Sequence, residues 1–391
     1  MSVDYENPFV YNRPLTSDEL IDREREVEEL VSFARGGHNS RLSAPRRYGK
    51  TTLLYKVLEE ADKQGMATAY VDLYGVVSVP GINRRIGEAY QGNIETRSQQ
   101  RLGELARAQP EVSVGVPGVK LKFDLSPESD PMLLMHRLLD FPVVLHQKTG
   151  KRSLIVFDEF QDILRVDETT LDEKIDGLMR SHIQHQLREA SYIFAGSHPS
   201  LMNELFGSPT RAFYEQACVM RLQPLDREYL GGYISDRFAR TGRDVGECLG
   251  LLLELVAGHP QRAMFVANHL WRLTEPGESA DQSVWEQAVA HVYGDLGELF
   301  EQTWWSFTEL EQEILIATAL GKLPVPQVSE LSEIEVEGAC RALIGVGVLI
   351  RGADKRLEFV DPLFANWVRS GRSSPAVDCK TSSAVLSCLQ K

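Results

Sequence analysis

The residues best suited to chemistry are concentrated in Ser43-Ala44-Pro45-Arg46-Arg47-Tyr48-Gly49-Lys50-Thr51-Thr52, a basic, hydroxyl-bearing turn that runs straight into the apolar stretch Leu53-Leu54-Tyr55-Lys56-Val57-Leu58. A glycine that lets backbone close on a ligand, a lysine beside it and a hydroxyl next in line suit a polyphosphate and its metal ion, and the spacing is that of GxxxxGK(S/T). Gly49, Lys50 and Thr51 stand at the required places, with Ala44 where the first glycine is expected. Alanine is acceptable there if its φ is negative. Arg41-Leu42 read as a strand end, and Thr51 to Leu58 as a helix whose N-terminal amides and dipole favour an anion. On this P-loop reading Lys50 reaches the β- and γ-phosphates of ATP and Thr51 offers its hydroxyl to Mg²⁺. Ala44, Pro45, Arg46, Arg47, Tyr48, Gly49, Lys50, Thr51 and Thr52 form the nucleotide cradle, the two arginines serving nucleotide or loop contacts.

Downstream, Leu154-Ile155-Val156-Phe157 is a continuous apolar run ending in Asp158 and Glu159. That pattern fits a strand buried on both faces of a parallel sheet, its carboxyl end at the ligand. It reads as Walker B, with Asp158 a Mg²⁺ ligand, directly or through water, and Glu159 polarising the attacking water. Ser191-Tyr192-Ile193-Phe194-Ala195-Gly196-Ser197 supplies a further strand, and Ser197 at its end is a candidate for contacting γ-phosphate or water.

The elements that must hold these residues alternate. Asn7 to Pro14 is proline-broken and aromatic, an extended strap, and a helix follows over Ile21 to Leu30, ended by Gly36-Gly37. Ala67 to Tyr74 is the next strand, which with the P-loop helix makes a strand, helix, strand unit and implies an α/β sandwich. Glu111 to Phe123 alternates apolar and polar residues around Pro117-Gly118, the signature of an inserted hairpin. Beyond Leu225 the periodicity of Tyr229 to Phe238, Gly246 to Ala257 and Gln261 to Leu273 predicts a small helical bundle. Helices at Glu309 to Leu320 and Glu333 to Ile344, a short element near Pro324 to Leu331, strands at Val346 to Arg351 and Arg356 to Phe359, and a last helix at Asp361 to Val368 have the order of a winged helix. The expected domains are a P-loop core with its strap over 1–225, a helical lid over 226–302, a winged helix over 303–370 and a loose tail over 371–391, with no internal repeat.

The chain has 391 residues and 43% hydrophobic content, enough for two or three domains. No apolar run approaches the span of a bilayer and the N-terminus lacks a basic, apolar leader, so a cytoplasmic protein without membrane contact is expected. Its five cysteines are scattered without CxxC spacing, which indicates neither a disulfide framework nor a zinc site; Cys218, Cys248 and Cys340 read as core residues. A formal charge of −14 argues against general polyanion binding.

Taken in order, APRRYGKTT, VFDEFQD, FAGSHPS, SPTRAFY, GHPQR and FVDPLFANWV resemble the archaeal-type STAND ATPases of archaea and bacteria, within the AAA+ group near the origin-recognition ATPases. The resemblance runs over residues 7–370. It implies a P-loop NTPase parallel-sheet sandwich with a helical lid and a C-terminal winged helix, acting as a slow ATP-hydrolysing switch. It places Lys50 and Thr51 at phosphate and magnesium, Asp158 and Glu159 at metal and water, and Ser197 as a sensor. Arg211 matches the arginine after the sensor strand, touching γ-phosphate within the chain or from a neighbouring copy, which would make assembly nucleotide-dependent. Ile21 and Arg23 match the entry motif near adenine, where Asp22 replaces the usual small residue; His259 and Pro260 match the lid turn near the phosphates, with Arg262 a second-sensor candidate. The expected recognition region of the winged helix, Glu330 to Glu337, is acidic, so a protein partner is favoured over nucleic acid, for which only Arg341 and the wing residues Arg351, Lys355 and Arg356 argue. The competing readings are a nucleotide-binding scaffold with little turnover and a DNA-associated ATPase.

Overall fold

A computed structural model describes residues 6–13, 20–94, 111–116, 119–124, 130–167, 169, 173–322, 333–352 and 356–371. In chain order its elements are α1 (Glu24–Arg35), β1 (Ser40–Ser43), α2 (Lys50–Lys63), β2 (Ala67–Asp72), α3 (Val79–Ile94), β3 (Glu111–Val116), β4 (Val119–Asp124), α4 (Pro131–Thr149), β5 (Ser153–Asp158), α5 (Ile175–Ile183), β6 (Ala190–Gly196), α6 (Pro199–Gly207) and β7 (Cys218–Arg221). There follow α7 (Arg227–Arg240), α8 (Cys248–Val256), α9 (Pro260–Leu273), α10 (Gln282–Trp305), α11 (Glu309–Ala319), α12 (Glu333–Gly345), β8 (Leu349–Arg351), β9 (Leu357–Phe359) and α13 (Pro362–Arg369). Two compact units result: the described residues of Thr16–Arg46 and Lys50–Leu222 form one, and those of Met1–Leu15, Arg47–Gly49 and Gln223–Lys391 the other.

The first unit is an α/β sandwich on a five-stranded parallel sheet of order β2-β5-β6-β1-β7. Every residue of β5 and β6 is buried, as central strands covered by helices on both faces must be. Phe157 stacks on Tyr192 and Phe194, and Phe160 meets Phe194 at 4.7 Å and Phe213 at 5.3 Å between ring centroids. Each such pair adds about 0.5–1.5 kcal/mol beyond the area it buries. Phe160 opens a 3-10 turn, Phe160–Arg165, directly after Glu159. The aromatic cluster therefore pins the turn that carries the acidic end of β5.

Local starts and stops differ from the periodic expectation in two places. The helix expected from Ile21 begins at Glu24, because Asp22 has φ 49°, a left-handed conformation that no helix continues through. Cys218 lies half-buried on the edge strand β7, whereas Cys248 and Cys340 are buried as expected. The two strands of the hairpin are present and antiparallel, Val116 pairing with Val119.

In the second unit, side chains at the helix starts satisfy the orphan amides: Asp226, Asp281 and Asp361 accept from the first turns of α7, α10 and α13, and Thr308 with Glu311 forms a reciprocal capping box at α11. The strap expected against the P-loop core packs here instead. Asn268 Nδ2 donates to Phe9 O at 2.8 Å, and the Phe9 and Tyr11 rings meet Phe238 and Phe265 at 5.3 and 4.9 Å. Two aromatics on so short a segment need apolar helices to cover them, and α7 and α9 provide them. Toward the C-terminus α11, α12, the antiparallel pair β8–β9 and α13 follow in order, with Trp367 against Phe300, Trp304 and Phe364, and Phe300 against Phe364. The short element near Pro324 to Leu331, Glu330 of the expected recognition region, Lys355 and the tail beyond Gly371 lie outside the described residues. Among the described residues, no helix is long and apolar enough to cross a membrane.

Candidate active site

Strand register assembles the chemistry. Ser43 of β1 lies opposite Gly196 of β6, Phe157 of β5 opposite Phe194, and Asp72 of β2 opposite Asp158. The residues that follow β1, β5 and β6 thus emerge side by side at the carboxyl edge of a parallel sheet, where ligands of such folds bind. After β1 the chain turns through residues 44–49 and enters α2 at Lys50. Ala44 does not have a positive φ, so its side chain is no obstacle; the left-handed positions are Arg47 at 68° and Gly49 at 79°.

Lys50 is buried, and its Nζ is hydrogen-bonded to Asp158 Oδ1 and, at 2.8 Å, to Glu159 Oε1. Asp158 Oδ1 also accepts from Glu159 N at 2.9 Å, and its Oδ2 accepts from the Tyr70 hydroxyl at 2.6 Å. Glu159 adopts φ 51°, and its Oε2 accepts from Ser197 Oγ at 2.7 Å and Gln161 Nε2 at 2.6 Å. Burial alone would raise the Glu159 carboxyl; the charge and hydrogen bond of Lys50, with the bonds from Gln161 and Ser197, outweigh it and hold the group at about 2. His198 lies next to Ser197, its Nε2 3.4 Å from an Arg46 nitrogen. Burial first and the Arg46 charge second push its pKa down, which favours neutral imidazole.

The structure thus brings Lys50, Asp158, Glu159 and Ser197 together, with Arg46 nearby through His198. Thr51 follows Lys50 in the first turn of α2, and Thr52 is buried there. Other expected site residues have partners of their own. Arg211 is engaged by Glu204, with Asp176 Oδ2 at 3.6 Å. Arg23, after the half-buried Ile21, pairs with Glu26 at 2.8 Å at the start of α1. In the second unit His259 caps α9, its Nδ1 accepting from Arg262 N at 3.3 Å ahead of Pro260, and its ring lies 4.9 Å from Tyr48 edge to face. Burial lowers the His259 imidazole to about 4, consistent with a neutral cap. Arg262 forks onto Asp361, with Nε 3.0 Å from each carboxylate oxygen.

Three members of the cluster were not read from sequence: Tyr70, Gln161 and His198. Gln161 and His198 carry a local signal, each lying within two residues of an expected site residue. Tyr70 carries none, since only the pairing of β2 with β5 delivers it.

The donors suit magnesium. Thr51 and Asp158 offer hard oxygens only, and among the described residues no group of three or more His, Cys, Asp or Glu side chains forms an all-protein cage. Magnesium is held by one or two carboxylates with phosphates and waters, so these residues fit it in company with a polyphosphate.

Two consequences are testable. A Cβ on Gly196 would sit 2.4 Å from Gln161 Oε1 and 2.6 Å from Met202 Cγ. Gly196→Ala is expected to lower stability by about 1–3 kcal/mol in chemical denaturation and to displace the amide that steadies Glu159. A carboxyl whose folded pKa lies near 2, against an ordinary 4.5, binds its proton later in the folded state. Its stabilisation is therefore complete above pH 4.5 and is lost as pH falls toward 2. Urea unfolding of wild type and Glu159→Gln should differ by a constant amount above that pH, and the wild type should lose ground below it.

No protein-family model and no curated protein sequence matches the chain. Solved structures do. The Walker-type ATPase paby2304 of Pyrococcus abyssi is similar at a TM-score of 0.67 and 16% identity, over 92% of this chain and 99% of that one. The ORC2 protein of Aeropyrum pernix in its ADPNP–ADP complexes is similar at 0.56 and 15%, over 99% of each chain. Its ADP form is similar at 0.52 and 16%, over 93% of this chain and 98% of that one. Identities this low speak to fold alone, and the sheet, the P-loop turn and the acidic strand end agree with it: the chain shares the P-loop NTPase fold of these solved structures.

Proposed function

We propose that this protein is a Mg²⁺-dependent ATP-binding and ATP-hydrolysing switch of the STAND/AAA+ type. The observation that carries the reading is the buried contact of Lys50 with both Asp158 and Glu159 at the carboxyl edge of the sheet. Lys50, Asp158 and Glu159 together carry one excess negative charge, so a polyphosphate enters favourably only with a cation and with Lys50 turned toward it. Thr51 and Asp158 would hold Mg²⁺, which would supply positive charge to offset that of the phosphates.

The chain's own groups do the rest. Amides at the start of α2 and the Lys50 ammonium bind phosphate oxygens. Ser197 and Gln161 hold Glu159 in one orientation, from which its free lone pairs align a water for in-line attack. While Lys50 sits on Glu159 the carboxylate is a poor proton acceptor; when phosphate draws Lys50 away, its basicity rises, so occupancy of the site and activation of the water are coupled.

Residues 226–302 are read as the lid and 303–370 as the winged helix, whose rearrangement with nucleotide state would signal to a protein partner. The charges favour protein over DNA: Arg351 and Arg341 are both taken up by Glu337, at 2.9 and 3.5 Å. Arg211, tied to Glu204, would serve a second copy only after release from that pair, which a nucleotide-dependent change in mass would reveal. Phosphate release from ATP with Mg²⁺ tests the reading: saturable turnover supports it, whereas binding without turnover leaves a nucleotide-dependent scaffold.

A further inference from the structure

We propose that Tyr70 is a metal-positioning residue, whose phenol caps one oxygen of Asp158 so that only the other, which Lys50 now holds, would serve a cation. This rests on the Mg-nucleotide reading above.

Tyr70 sits in β2 opposite Val156, two residues before Asp72, which lies opposite Asp158. Side chains two apart in a strand share a face, so the Tyr70 ring stands on the same side of the sheet as Asp72 and Asp158 and reaches along it to the acidic strand end. Its hydroxyl donates to Asp158 Oδ2 at 2.6 Å, in the range of short, charge-assisted bonds. Oδ1 takes Lys50 and Glu159 N, so each oxygen of this buried carboxylate has its own partners. A carboxylate held at one oxygen cannot swing to bind a cation through both. The ring is in turn held by Tyr55 on α2, with centroids 4.9 Å apart. Tyr55 lies four residues after Thr51, on the same helical face. The two tyrosines therefore link the elements that carry the two metal donors.

Tyr70→Phe preserves the ring and removes only the donor. In the full chain, Mn²⁺ titrated in the presence of ADP and followed by electron paramagnetic resonance should bind about tenfold or more weakly, the range found for groups that orient metal ligands. ADP binding in EDTA should be unchanged. The Mg²⁺ needed for half-maximal turnover should rise by a similar factor, with the rate at saturating Mg²⁺ within a few-fold of wild type. Tyr55→Phe, which leaves the Asp158 contact in place, should keep wild-type Mn²⁺ affinity. Unchanged Mn²⁺ affinity in Tyr70→Phe overturns the proposal, as does equal loss of ADP binding with and without metal, or an equal Mn²⁺ defect in Tyr55→Phe. Failure of the wild type to bind ADP in any condition overturns it together with the nucleotide reading; ADP binding without Mn²⁺ uptake overturns it alone.

Discussion

Lys50→Ala is expected to reduce ATP turnover by about 10²–10³-fold or more, the cost of removing one charged donor from a developing phosphoryl charge. The same change should be felt without nucleotide. It strips the counter-ion from Asp158 and Glu159, which are 5% and 16% exposed, and a buried charge that loses its partner costs about 3–5 kcal/mol. The Glu159 carboxyl, no longer held down by Lys50, should then rise, because burial is opposed only by the hydrogen bonds from Gln161 and Ser197. The variant should therefore be destabilised at pH 7 and recover part of that loss near pH 5, where protonation relieves the repulsion. Denaturation midpoints at the two pH values check the claim, and a variant as stable as wild type at both would contradict it.

Glu159→Gln separates binding from chemistry. The amide keeps the size of the side chain and can still bond to Ser197, yet it accepts no proton at neutral pH. Turnover is expected to fall about 10²–10⁴-fold, with Mg-ATP affinity equal to or higher than wild type. The expected rise in affinity follows from Lys50, which loses a competing carboxylate and becomes freer to meet phosphate. A parallel loss of affinity and turnover would mean that Glu159 serves chiefly to build the pocket.

Much of this site was legible because its determinants are local. A glycine, a lysine and a hydroxyl in series, and an apolar run ending in two carboxylates, each specify a turn or a strand within ten residues. The strand end at Ser197 was legible for the same reason. What escaped was set by distance. Tyr70 and the strap around Phe9 are placed by partners remote in sequence, at Asp158 and at Asn268. Arg262 likewise finds Asp361, ninety-nine residues on. The four-residue edge strand β7 is too short to show a pattern, and its exposed Val219 blurs what pattern it has. The long helix α10 was missed because Gly294 and Gly297 interrupt its run. Both glycines have open space where a side chain would go, while Val289, Val292, Leu296 and Phe300 carry the packing.

Nucleotide binding is read most directly by isothermal titration of Mg-ATP into the intact, folded chain, run beside Lys50→Ala. A saturable heat from one site, lost in the variant, is the predicted result. No heat from wild type, or the same isotherm from both proteins, would contradict it.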